Sequence, residues 1–271
     1  MPLEFTKLHG AGNDYVLVDG FAAQDVVDRG PATAVLVADR RFGVGSDGLI
    51  VVGPSDVADV RMHMWNADGS RGAMCGNGLR LVARFAVESG RVASDVMLIE
   101  TDVGIFEALL RRDSDGEIVG ARVGMPPVVV DDRPSAIVVD GKSHAFWRAS
   151  VGNPHAVTFV AGDPEQAPLD TVGPALQRHL QFDGGVNVEM VAVHAPDLLV
   201  QRTFERGSGE TWACGSGAVA SAMVALHTAS LAGERVRVRM RGGEVVVHRI
   251  DRDRAELEGP AVRVFQGVFG A

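Results

Sequence analysis

Short apolar runs separated by glycine-rich turns recur along most of the chain. Phe5-Thr6-Lys7-Leu8-His9 and Tyr15-Val16-Leu17-Val18 predict two strands around a Gly-Asn turn. Leu49 to Val52 and Asp59 to Trp65 predict two more, and a strand-rich stretch runs from Ile99 to about Val123. Helical spacing is rarer. Ala34 to Arg40 predicts a helix. Leu79, Val82, Ala83, Ala86 and Val87 fall on one helical face, with Gly90 as a C-terminal stop. Ala218 to Leu226 is apolar on every side except Ser221, which predicts a deeply buried helix. Strands and helices do not alternate at regular βαβ spacing, so a doubly wound parallel sheet is not expected.

The pattern repeats. A shift of 139 residues lays Met74-Cys75-Gly76-Asn77-Gly78 on Ala213-Cys214-Gly215-Ser216-Gly217, Asn66 on Glu205, Gly48 on Asn187 and Gly104 on Gly243. With one residue more, Gly12-Asn13 falls on Gly152-Asn153. A repeat this long is a domain duplication rather than a solenoid. The expected fold is α+β, with two similar, pseudo-symmetric domains over residues 1–118 and 119–259. Met125-Pro126-Pro127 is a natural joint between the halves.

Composition narrows the chemistry. The chain has 271 residues, 46% of them apolar, enough for a sizeable core. Its net charge is −9 and its arginines are scattered, so a nucleic-acid surface is not expected. No apolar stretch approaches the roughly 18 residues of a membrane span, and the first residues do not resemble a secretion signal, so the expected location is cytoplasmic. Two cysteines without CxxC spacing build neither a disulfide framework nor a zinc site, and His9, His63, His144 and His155 form no HExxH pair. Gly43 to Gly48 matches GxGxxG, but in the reverse structural order to a dinucleotide fingerprint.

Two cysteines alone read as buried small hydrophobes. Their surroundings change that: each opens a predicted helix and precedes Gly-x-Gly. Free N–H groups at a helix start bind a carboxylate, and the helix dipole favours a thiolate. One such cysteine would be a nucleophile. A pair in matching halves, flanking one carbon, would be a base on one face and an acid on the other, and so would invert a stereocentre. Pyridoxal chemistry would need a Schiff-base lysine. The chain has only Lys7 and Lys142, neither in such a setting, so no cofactor and no metal are expected.

At these residues the sequence resembles the diaminopimelate epimerase family. The resemblance rests on Lys7 to Tyr15, Asn66-Ala67-Asp68-Gly69-Ser70, Met74 to Arg80, Gly152-Asn153-Pro154-His155 and Glu205 to Ala218. It covers essentially the whole chain. It implies two α+β domains, each a β-barrel-like sheet layer around a central helix, with the C-terminal segment 260–271 returning to the first. It implies a homodimer that interconverts LL- and meso-2,6-diaminopimelate without cofactor, in the supply of lysine and peptidoglycan precursors. Cys75 and Cys214 would exchange the α-proton, with His155 and Glu205 tuning them. Asn13, Gly76, Asn77, Gly215 and Ser216 would hold the reacting end of the substrate. Asn66, Asn153, Asn187, Glu205 and Arg206 would read the distant end. Some members carry Gln where Gly48 stands here, so Gly48 is not assigned a contact.

Two alternatives stay open. One is a proline or hydroxyproline racemase-type member of the same superfamily, against which the paired Cys-Gly-x-Gly segments with Asn-Ala-Asp-Gly-Ser argue. The other is a non-catalytic amino-acid-binding protein, which would have no need of two cysteines.

Overall fold

The computed structural model describes residues 2–270; Met1 and Ala271, which the expected domain limits include, lie outside the described residues. The chain forms two compact units, Met1–Gly124 with Gly259–Ala271, and Met125–Glu258. The division falls after Gly124 rather than at 118, because strand Ile118–Gly124 is zipped antiparallel along Gly104–Arg112.

In the first unit the strands lie in the order Val262–Phe269, Leu3–Gly10, Asn13–Asp19, Gly48–Gly53, Val60–Asn66, Val96–Thr101, Gly104–Arg112, Ile118–Gly124. Neighbours are antiparallel except at Asn13–Asp19 with Gly48–Gly53 and at Val60–Asn66 with Val96–Thr101. Helices α1 (Asp25–Asp28) and α2 (Gly30–Ala38) span the first parallel crossover, and α3 (Gly76–Glu88) spans the second. The first two strands turn on Ala11 and Gly12, both at positive φ, which suits a tight hairpin. Gly48–Gly53 is buried along its whole length. It has α2 on one side and α3 on the other, which is why it reads as an unbroken apolar run.

The second unit repeats this order with Lys142–Ser150, Pro154–Phe159, Asn187–Ala195, Leu198–Glu205, Arg235–Met240, Gly243–Arg249 and Ala255–Pro260, the last running past Glu258. The parallel pairs recur at the same two places. Helix α4 (Leu169–Gln177) takes the place of α2, and α5 (Gly215–His227) that of α3. The place of Val262–Phe269 is taken by Ser135–Val139 and Val129–Val130, which pair with Lys142–Ser150.

Each central helix is enclosed by strands. Helix α3 touches Leu3–Gly10, Asn13–Asp19, Gly48–Gly53, Gly104–Arg112 and Ile118–Gly124. Leu79, Val82, Ala83 and Ala86 are fully buried, whereas Val87 at the end of the same face is only half-buried. Ala218 to Leu226 of α5 is buried throughout, Ser221 included. One helix end departs from expectation. The helix predicted over Ala34–Arg40 stops at Ala38, because the Asp39 carboxylate accepts bonds from the N–H groups of Arg41 and Phe42, both 2.7 Å, and turns the chain out of the helix.

Candidate active site

In each unit the cysteine is the N-cap of the central helix. Cys75 and Cys214 have extended backbones, and each Sγ accepts a bond from the N–H three residues on, Gly78 and Gly217, both at 3.4 Å. Sulfur thus takes the capping role usually held by a serine or aspartate oxygen. The cap places each sulfur where the helix presents its unpaired N–H groups and its positive end.

Around Cys75 the first unit gathers Asn13, Gly76 and Asn77. Tyr15 donates its hydroxyl to Sγ at 3.8 Å, and the thiol reaches Asn13 Oδ1 at 3.8 Å. Asn77 Nδ2 donates to the same Asn13 oxygen at 3.0 Å, and Asn13 Nδ2 donates to Asp47 at 2.7 Å. The guanidinium of fully buried Arg80 donates to Asn77 Oδ1 at 2.8 Å and to the Gly76 carbonyl at 3.4 Å. Asn66 ends its strand opposite Gly48, and its amide donates to Ser70 Oγ at 2.9 Å. At Gly48 a Cβ would lie 2.2 Å from the Trp65 carbonyl oxygen, so the backbone there leaves a side chain no room.

Around Cys214 the second unit gathers Asn153, His155, Gly215, Ser216 and Glu205. Ser216 Oγ lies 3.6 Å from Sγ, and Asn153 Nδ2 donates to Ser216 Oγ at 3.4 Å. His155 Nε2 is 3.0 Å from Asn153 Oδ1, and its Nδ1 is 2.8 Å from Glu189 Oε1. His155 and Glu189 are both fully buried. The Glu205 carboxyl hydrogen-bonds Cys214 and accepts from Thr211 Oγ1 at 2.5 Å. Asn187 lies opposite His155 in the sheet register, and its side chain accepts from the Arg206 backbone N–H at 2.8 Å. The exposed Arg206 guanidinium reaches the Gly184 carbonyl at 3.3 Å. A cavity of about 600 Å3 opens beside it, lined by Gln177, His179, Phe182, Asp183 and Gly185.

Burial pushes the Tyr15 phenol well above its usual range, and the nearby Cys75 and Asp47 add to the shift. Burial draws the Arg80 guanidinium down to about 10, with Cys75 acting in the opposite sense. Cys214 is driven well up by burial, then by the Glu205 and Glu189 carboxylates. Glu205 is itself raised by burial, against the opposing bonds from Thr211 and Cys214. Among the described residues no cluster of three or more His, Cys, Asp or Glu side chains could hold a metal ion, and no helix is long and apolar enough to cross a membrane.

Sequence reasoning singled out neither Tyr15, Asp47 and Arg80 nor Glu189 and Thr211. Tyr15 and Arg80 close two of the segments that carry the resemblance. Glu189 had a visible signal: it interrupts an apolar strand whose counterpart in the first half is Ile50.

The sequence model of diaminopimelate epimerase matches residues 5–129 and 148–264. A diaminopimelate epimerase of Desulfitobacterium hafniense is 39% identical over 281 residues, covering 98% of each chain. One from Pelotomaculum thermopropionicum is 37% identical, covering 98% of this chain and 99% of its own. Among solved structures, a PhzF-family phenazine biosynthesis protein of Bacillus anthracis superposes with a TM-score of 0.74 at 17% identity, over 99% of both chains. A probable proline racemase of Agrobacterium radiobacter, solved with bound carbonate, gives 0.74 at 18% identity, over 98% of this chain and 92% of its own. These two likenesses establish the α+β fold. With the family match over nearly the whole chain and the close relatives beside it, the chain belongs to the diaminopimelate epimerase family of isomerases.

Proposed function

We propose that this protein interconverts LL- and meso-2,6-diaminopimelate by two-base proton transfer between Cys75 and Cys214, with no cofactor. The observation that carries this reading is the matched pair of sulfur caps, each at 3.4 Å from a backbone N–H at the start of a buried helix. A carboxylate bound at such helix starts gains hydrogen bonds as charge develops on its α-carbon. One thiolate removes the α-proton while the other thiol supplies a proton to the opposite face. Asn13, Gly76, Asn77, Gly215 and Ser216 hold the reacting amino-carboxylate end. Asn66, Asn153, Asn187, Glu205 and Arg206 hold the distant end, with the exposed Arg206 guanidinium as partner of the far carboxylate. His155 acts through Asn153, and Glu205 acts on Cys214 directly. The same reading places the enzyme in the cytoplasm as a homodimer, feeding lysine and peptidoglycan precursor synthesis.

The test is turnover in heavy water. Product formed in the first turnovers should carry solvent deuterium, while recovered substrate carries much less, because the incoming proton comes from a thiol that has exchanged with solvent. Early product that keeps the substrate's own hydrogen would overturn the two-base reading. Proline and hydroxyproline offered as substrates should not be racemised.

A further inference from the structure

The glycine-rich segment 43–48, which is no dinucleotide fingerprint, carries Asp47 against the site of the first unit. The segment turns tightly: Gly45 has φ +79°, and at Gly43 a Cβ would lie 2.2 Å from the Leu36 carbonyl oxygen. Asp47 is pinned through its backbone, its N–H donating to the Asp14 carbonyl at 2.8 Å and its carbonyl accepting from the Ala67 N–H at 3.1 Å. Its carboxylate accepts from three groups. Asn13 Nδ2 at 2.7 Å and the Asp14 N–H at 3.0 Å share one oxygen, and Arg40 Nη2 lies 2.9 Å from the other. A backbone N–H and a guanidinium only donate, so Asp47 is an acceptor here and Asn13 turns its amide nitrogen towards it.

The other end of the Asn13 amide is fixed from the opposite side. Fully buried Arg80 donates from Nη2 to Asn77 Oδ1 at 2.8 Å, so Asn77 turns its own Nδ2 away and donates to Asn13 Oδ1 at 3.0 Å. The two amides run in one direction, from a guanidinium that only donates to a carboxylate that accepts. Reversing Asn13 would set donor against donor at Asn77 and acceptor against acceptor at Asp47. Asn13 Oδ1 has a second lone pair, and the Cys75 thiol lies 3.8 Å from that oxygen.

The second unit does not repeat this chain. Under the internal repeat Asp47 falls on Val186, Asn77 on Ser216, Arg80 on Val219, and Asp14 on Pro154, which has no N–H. Asn153, the counterpart of Asn13, meets His155 Nε2 at 3.0 Å and Ser216 Oγ at 3.4 Å, an imidazole nitrogen and a hydroxyl that each donate or accept. The fold therefore does not require a fixed amide at this position, and the first unit adds one.

We propose that Asp47 is a positioning residue: with Arg80 and Asn77 it locks the Asn13 amide with its oxygen towards Cys75, so that the first unit offers a hydrogen-bond acceptor to the α-ammonium of the reacting end. The proposal rests on the epimerase reading for its substrate. The ammonium and the carboxylate of that end hang on one carbon, and a site must tell them apart to present the α-proton. A fixed acceptor pairs with the ammonium and repels a carboxylate. The carboxylate is left to donors, which the N–H groups at the start of α3 supply.

Neutron diffraction from crystals of the unaltered full-length protein, exchanged into heavy water, reads the amide directly. The deuterons of the Asn13 side chain should lie on the atom beside Asp47, with those of Asn77 turned to Asn13. The reverse arrangement at Asn13 would overturn the proposal, and that measurement needs no variant to fold. Calorimetric titration checks the consequence. Asp47→Leu removes the acceptor and should weaken LL-diaminopimelate about tenfold, the worth of one hydrogen bond to a charged group, while L-2-aminopimelate, which keeps the far amino-carboxylate end and lacks the amino group at the reacting end, should stay within about twofold. Asp47→Asn keeps an oxygen for the Asp14 N–H and Asn13, and should recover most of the loss. An equal loss for both ligands, as from a general loosening, or an Asp47→Asn variant no better than Asp47→Leu, would overturn the proposal. Failure of the epimerase reading would appear elsewhere, as no binding or turnover of either diaminopimelate isomer with the Asn13 amide in the sense described.

Discussion

Adding one methyl group at Gly78 or at Gly217 perturbs the two helix starts in matched fashion, and the expected outcomes differ. Both glycines donate their N–H to the capping sulfur, and alanine keeps that donor. Alanine also favours the helix over glycine by up to about 1 kcal/mol. At Gly78 the new Cβ meets Ile50 Cδ1 at 3.1 Å and Met62 Sδ at 3.4 Å, the far ends of side chains that can give by a few tenths of an ångström. Gly78→Ala should therefore be close to neutral in stability. At Gly217 the Cβ falls 2.5 Å from Glu189 Oε1 and 3.2 Å from its Cδ. Glu189 is fully buried and bonded to His155 at 2.8 Å, so it cannot withdraw without giving up that bond. Overpacking of this kind costs about 1–3 kcal/mol, and a buried carboxylate pulled off its partner adds to it. Gly217→Ala should thus be less stable than Gly78→Ala by about 1–3 kcal/mol. It should also lose turnover, as the His155–Glu189 bond is strained, and with it the links through Asn153 and Ser216 to Cys214. The assay is urea unfolding of both variants and the unaltered protein, with initial rates of epimerisation alongside. Equal midpoints for the two variants would refute the view that Glu189 is fixed in place beneath α5.

Replacing either Cys75 or Cys214 with Ala should lower epimerisation by several orders of magnitude in both directions, because each direction needs an acid and a base; a single variant that still epimerises well would sink the mechanism. Arg206→Ala should raise KM about tenfold or more while leaving stability within about 0.5 kcal/mol, since the guanidinium is exposed; an unchanged KM in steady-state assays would remove Arg206 from the substrate's far end. Glu205→Gln tests the raised carboxyl. A carboxyl whose folded pKa lies above its unfolded value costs nothing below about pH 4.5, where both forms are protonated, and progressively destabilises the fold as pH rises through the folded value. The Gln variant should therefore gain stability relative to the unaltered protein as pH rises from 4.5 towards 8, read by urea midpoints across that range. A difference that does not vary with pH would show that burial does not raise the Glu205 carboxyl.

The α+β class, the duplication and the two helix starts were legible in the sequence, because each is written in neighbouring residues. Alternation marks a strand, a spacing of three and four marks a helix face, and Cys-Gly-x-Gly marks a cap that bonds its own helix three residues on. The end of α2 was misjudged because its stop signal is a side chain, the Asp39 carboxylate, rather than a glycine or proline. What only the tertiary structure decided is which side chains the strands carry to each sulfur. Tyr15 reaches Cys75 across 60 residues and Glu189 meets His155 across 34, and no local pattern encodes either approach. The signs of the buried charges were likewise decided by packing. Arg80 reads as an ordinary polar residue until the fold removes water from it, and Glu189 shows only as a break in an apolar strand. In that low-dielectric setting, a charge weighs more on its neighbours than it would at the surface.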